Sequence, residues 1–219
     1  MPLIRTNGYI PPPPCALDMN GFSSHYSSRI ISFDIGIRHL SMCLGDYKQP
    51  NFEIVKWQLF SLQGKNISEY TCDLIDQMKK QYFGVIDCVL IEMQVSRNTQ
   101  MKVISHVLQS YFIIAHSIPK DKVIFVSAKR RFKCQCPFYN NLVTCTRREL
   151  GIKDDDKLNR KDIKKLAVKL VEDKNLISGG NWRTFFTENK KKDDLADSFL
   201  QAYTWCVDGG TRDDMMEIN

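Results

Sequence analysis

Three short stretches of the chain put carboxylates where carboxylates are unusual. In Ile31–Arg38, apolar Ile31, Phe33, Ile35 and Ile37 alternate with Ser32, Asp34, Gly36 and Arg38, the pattern of a strand with one apolar face. Aspartate is depleted in strands, and a charge placed in a core strand has to be paired, hydrogen-bonded or metal-bound. Gly36 shares the face of Asp34 and lets something approach the backbone closely. Glu92 ends the near-continuous apolar run that starts at Val85, and in open α/β sheets ligands collect beyond the carboxyl ends of strands. Finally, Asp193-Asp194-Leu195-Ala196-Asp197, at helical spacing, gathers its aspartates on one side, with Leu195, Phe199, Ala202, Tyr203 and Cys206 opposite. Each stretch alone has an ordinary explanation: an edge residue, a strand's exit into solvent, or acidic residues complementing a helix N-terminus. Brought together, four such carboxylates repel one another unless cations intervene. Hard divalent cations take oxygen ligands, and two of them about 3.5–4 Å apart support phosphodiester cleavage.

The elements that would position these residues follow from hydrophobic periodicity. Residues 1–28 read as a Pro-rich extension, with Pro11 to Pro14 enforcing extended backbone. From Arg29 onward, successive strands are expected over Arg29–Ile37, His39–Gly45 and Phe52–Phe60, then a helix over Asn66–Tyr82. Val85–Glu92 has the composition of a central parallel strand covered on both faces. A helix over Asn98–Ser117 is apolar across a wide arc, enough to cover the sheet and leave a stripe for a second surface such as a dimer partner. Lys122–Ser127 is a short strand; residues 129–160 read as irregular; Lys161–Glu172 and Asp193–Val207 read as helices. Trp182, Phe185 and Phe186 are expected in a loop, anchoring it to the core. The order β-β-β-α-β-α-β-α-α suits an α/β domain over 29–208, a mixed sheet with helices on both faces, and a tail over 209–219.

Composition narrows the partners. The 219 residues carry 31 Lys+Arg against 25 Asp+Glu, a net charge of +6. The basic residues cluster at Lys129-Arg130-Arg131-Lys133, Arg147-Arg148, Lys153 to Lys169 and Lys190-Lys191-Lys192, which together point to a polyanion. No apolar run approaches the roughly 20 residues of a membrane span, and a soluble, intracellular protein with reduced thiols is expected. Cys43 and Cys88 read as small core residues. Cys134, Cys136 and Cys145 hint at zinc but lack an evident fourth ligand and the usual spacing. His39, His106 and His116 are scattered and read as packing or surface residues. There is no Gly-rich phosphate loop, so no nucleotide cofactor is expected, and the two-domain ATPases that also open a strand with D-x-G do not fit this length.

The strand IISFDIGIRHLSMCL, the strand ending LIEMQ and the helix opening DDLADSFLQA resemble the RuvC-type branch of the RNase H-like superfamily. The match covers about residues 29–208, and the middle of the chain and its length resemble the poxvirus Holliday junction resolvases in particular. The resemblance implies an RNase H-like fold with a five-stranded mixed sheet, and assigns catalysis and metal binding to Asp34, Glu92, Asp194 and Asp197. Asp193 fits the D-x-x-D pair less well than Asp194. It implies Mg²⁺ as cofactor, with Mn²⁺ able to substitute, and a basic residue near the start of the penultimate helix, for which Arg160, Lys161 and Lys164 are all candidates. Lys129 and Arg130 are further candidates for DNA contact. A homodimer would bind four-way or branched DNA by shape and backbone charge, and would nick opposing strands symmetrically at viral replication sites in the host cytoplasm. Two alternatives stay open: another RNase H-like nuclease acting on RNA–DNA hybrid or branched DNA, and a junction-binding protein without catalysis.

Overall fold

The computed structural model describes residues 27–94, 98–153, 156–173 and 176–210. The expected extension, including Pro11 to Pro14, lies outside the described residues apart from Ser27 and Ser28, as does most of the expected tail. Five strands, β1 (Ser28–Asp34), β2 (Leu40–Lys48), β3 (Asn51–Phe60), β4 (Cys88–Glu92) and β5 (Val123–Val126), form one sheet in the order β3-β2-β1-β4-β5. The first three strands form an antiparallel meander, whereas β4 and β5 run parallel to β1. This is the mixed five-stranded α/β sheet that the sequence implied.

Alternation along the strands sorts side chains into two layers. Ile31 and Phe33 of β1, Met42 and Leu44 of β2, and Val89 and Ile91 of β4 face α1 (Ile67–Lys79) and α2 (Thr99–Ala115), packing on Leu74, Met78, Ile104, Leu108 and Phe112. Ile30, Cys43 and Leu90 point the other way, into a core shared with α3 (Pro137–Glu149), α4 (Arg160–Asp173), α5 (Gly180–Glu188) and α6 (Lys192–Val207). Each such large apolar side chain contributes about 1.5–3 kcal/mol on burial.

α6 is buried all round from Leu195 to Cys206, except at Asp197, because it lies on β1 and β2 and is itself covered by α4. Its buried Ser198 and Gln201 are bonded to the sheet. Ser198 and Ser41 share a 2.7 Å hydroxyl hydrogen bond, Gln201 Nε2 donates to Ser32 Oγ at 2.9 Å, and Trp57 Nε1 donates to the Leu195 carbonyl at 3.2 Å. These buried bonds set the rotation and axial position of α6 on the sheet.

Two segments differ from the sequence expectation. The stretch expected to be irregular contains α3, started by Pro137 at the first helical turn. Its buried residues Tyr139, Val143 and Thr146 keep helical spacing, but the polar and basic residues between them dilute the pattern. The loop expected around Trp182 is α5; Phe186 is fully buried and stacks on Trp57 at 5.2 Å, so the aromatic residues do anchor it. β4 is also shorter than expected, since Val85 is 83% exposed and the run enters the sheet only at Cys88. On α2, Val103 and Ile114 remain exposed, the apolar stripe left after the sheet is covered.

Candidate active site

Register alone brings the first two carboxylates together. In the parallel β1–β4 pair, Phe33 lies opposite Ile91, and the next residues along each strand are Asp34 and Glu92, both at carboxyl ends. Their side chains are within hydrogen-bonding reach of each other. Burial, this hydrogen bond and the negative charges of Glu92 and Asp197 hold the Asp34 carboxyl well above the usual range, against the pull of Arg131. Gly36 follows two residues later, where an added Cβ would stand 2.6 Å from the His39 carbonyl oxygen. The close approach expected at this glycine is therefore made by the chain itself, as the backbone turns from β1 into β2.

α6 supplies the third carboxylate. Because Ser198 is tied to β2 and Leu195 to Trp57 of β3, Asp197 is directed toward the ends of β1 and β4. Its carboxyl is pushed up to about 7, chiefly by burial, with Arg131 opposing and Glu92, Asp194 and Asp193 adding to the rise. Asp194 lies one turn earlier; burial and Asp193 raise its carboxyl, against Lys164, Lys191 and His39 nearby. Asp193 points away to an ion pair with Lys164 of α4. Burial works to raise Asp193, but the Lys164 hydrogen bond and charge prevail and bring it down.

In the sequence Arg131 stands out only as part of a basic run. In the structure it is 6% exposed, in a short 3-10 turn over Ala128–Phe132 directly after β5. Nη1 lies 2.6 Å from Asp197 Oδ2 and Nη2 3.4 Å from Glu92 Oε1. The signal that could have found it is positional: β5 runs parallel to β4, with Val126 opposite Glu92, so the residues after Val126 emerge at the same edge as the carboxylates. Arg130, expected as a DNA contact, is 4% exposed; it pairs with Asp208 at 2.5 Å and lies over the Trp205 ring at 4.8 Å. Lys129, Arg160 and Lys161 are exposed. Lys164, Lys165, Lys169, Lys190 and Lys192 line a groove beside Asp193.

The donor set fits a divalent cation. Asp197 Oδ1 is buried and has no hydrogen-bond partner, an acceptor that a cation would satisfy. Among the described residues no three acidic, His or Cys side chains converge on one point as they stand, and the Arg131 guanidinium bridges Glu92 and Asp197. Cys134 and Cys136 are buried in the core, and Cys145 is exposed. No helix among the described residues is long and apolar enough to cross a membrane.

No protein-family model and no curated protein matches the chain. Solved structures do. The fowlpox virus resolvase in complex with its substrate Holliday junction DNA aligns at 14% identity and TM-score 0.54, over 81% of this chain and 96% of that one. The fowlpox virus Holliday junction resolvase in a second structure gives TM-score 0.52 at 14% identity, over 81% of this chain and 97% of that one. RuvC of Thermus thermophilus aligns at 8% identity and TM-score 0.50, over 83% of this chain and 96% of that one. A five-stranded mixed sheet with carboxylates at the ends of its first and fourth strands, crossed by a buried last helix, is thus the RuvC-like form of the RNase H-like fold.

Proposed function

We propose that this chain is a magnesium-dependent endodeoxyribonuclease that resolves four-way DNA junctions. The observation that supports it most is the register that sets Asp34 beside Glu92, with Asp197 of α6 over them, at the carboxyl edge of a RuvC-like sheet. Asp34, Glu92, Asp194 and Asp197 would hold the divalent ions, Mg²⁺ or Mn²⁺ in its place. When bound, such ions make water a better nucleophile and neutralise the departing oxygen of a cleaved phosphodiester. The carboxylates themselves would keep the ions at the sheet edge, in surroundings buried enough to strengthen their charge interactions. Lys164, already drawn to Asp193, would hold a backbone phosphate beside the site, and Lys129, Arg160 and Lys161 would extend the contact. Such contacts read charge and shape rather than base sequence.

A four-way junction presents its four strands as opposing pairs, so symmetric nicking of one pair requires two sites. The exposed apolar stripe of α2, with Val103 and Ile114, would pair two copies. The likeness to the fowlpox enzyme extends the proposal to processing of recombined viral DNA in the host cytoplasm.

Nicking of a synthetic four-way junction, with and without Mg²⁺, tests the reading. Wild type should give paired nicks across the junction, and Asp194→Asn should reduce the rate by about 10²-fold or more. Junction binding without cleavage under any divalent ion would instead indicate a binding module. Cleavage of RNA–DNA hybrid alone would keep the fold and change the substrate.

A further inference from the structure

The turn after β5 is built to hold one cation in a fixed place. Arg131 has a side chain only 7% exposed, and all three guanidinium nitrogens have partners: Nε donates to the Ala128 carbonyl at 3.1 Å, and Nη1 and Nη2 meet Asp197 and Glu92. Its own carbonyl accepts a 2.5 Å hydrogen bond from the hydroxyl of Tyr139, which is fully buried on α3. The preceding residue, Arg130, fastens the same turn to the far end of α6 through Asp208. Arg131 is thus not a surface arm folded back by chance.

The acidic groups around it outnumber it. Asp34, Glu92 and Asp197 all interact with this one guanidinium, and Asp197 Oδ1 still lacks a partner. A buried arginine with one carboxylate is a neutral pair; here one arginine serves three acidic groups, and the rest of the neutralisation falls to a proton, such as the one in the Asp34–Glu92 hydrogen bond, or to a bound cation. A guanidinium also fixes carboxylates in orientation, because its donors form a rigid fork.

We propose that Arg131 is the resident counter-ion of the acidic site: it orients Glu92 and Asp197, supplies one of the positive charges the cluster requires, and makes a divalent ion bind against a charge already present. The inference rests on the metal-ion reading given above. It makes Arg131 a positioning residue that lowers divalent-ion affinity while protecting the fold when no ion is bound. Without it, the site would hold an ion more tightly and would depend on that ion for folding.

Mn²⁺ binding by the full-length chain, measured by calorimetry for wild type, R131Q and R131K, tests this together with thermal unfolding in chelator and in Mn²⁺. R131Q should bind Mn²⁺ at least about tenfold more tightly than wild type, since the ion then meets one more uncompensated negative charge. It should also melt lower in chelator and gain more from Mn²⁺. R131K keeps the charge and should stay within about threefold of wild type. If R131Q unfolds in chelator, Mn²⁺ should refold it, and failure of saturating Mn²⁺ to do so overturns the proposal. Equal or weaker Mn²⁺ affinity of folded R131Q, or equal tightening in R131K, also overturns it while leaving the metal-ion reading intact. If wild type and both variants all fail to bind Mn²⁺, the metal-ion reading falls and this proposal with it.

Discussion

Arg130 and Arg131 are neighbours in one short turn, both buried and both bound to aspartates of the last helical segment, yet their surroundings differ in kind. Arg130 meets Asp208 just beyond the C-terminal end of α6, with Trp205 beneath the guanidinium and the Gln135 amide also donating to Asp208. That end pairs one cation with one anion over an aromatic face. Arg131 meets the acidic end, where Asp197, Glu92 and Asp34 share it and an Asp197 oxygen goes without a partner. The difference teaches that burial and ion pairing do not by themselves mark function. What marks it is an imbalance that the fold maintains, since buried charge without compensation is costly.

Breaking the Arg130–Asp208 pair should have the largest effect on stability. Asp208→Ala leaves Arg130 buried without its carboxylate and should cost about 3–5 kcal/mol in urea unfolding. The loss should be the same with Mg²⁺ or chelator present. A loss that Mg²⁺ repairs would show that the two ends are not separate.

The acidic end should instead respond to pH. Asp197, pushed up to about 7 in the folded protein, ionises near pH 4 when unfolded. A raised carboxyl contributes stability below its unfolded value, and that stability is lost as pH rises through the folded value. Asp34, raised in the same direction, adds to the effect. Melting temperature in chelator should therefore fall between pH 5 and pH 8. Mg²⁺ should flatten the profile, and Asp197→Asn should shrink the slope. A flat profile in chelator would mean that Arg131 compensates the cluster fully.

The smallest stability effect belongs to the Lys164–Asp193 pair, which is half exposed between the two regimes. Lys164→Ala should change unfolding free energy by no more than about 1 kcal/mol. Junction nicking should nevertheless slow in this variant. An unchanged nicking rate would remove Lys164 from the proposed phosphate contact.

Much of the frame was legible from local pattern. Period-two alternation marks β1, and helical period marks α1, α2, α4 and α6, because each element buries one face. The register that pairs Asp34 with Glu92 was hinted at only by their positions at strand ends. Segments whose burial depends on distant partners were less legible. α3 hides its Tyr139 and Val143 contacts among basic and polar residues, and α5 is organised by Trp57, more than a hundred positions earlier. Basic side chains were the least legible. In the run Lys129-Arg130-Arg131 one residue is exposed, one closes the end of α6 and one enters the acidic cluster.

By itself, then, the sequence determined the types of the elements other than α3 and α5, the mixed α/β order and the identity of the acidic residues at strand and helix ends, since these follow from side-chain period and from the cost of burying charge. Only the tertiary structure decided which carboxylates meet, which arginine neutralises them and which acceptor is left unsatisfied. Those outcomes depend on strand register and on the axial position of α6, set by hydrogen bonds between residues far apart in the chain, such as Ser41 with Ser198 and Ser32 with Gln201.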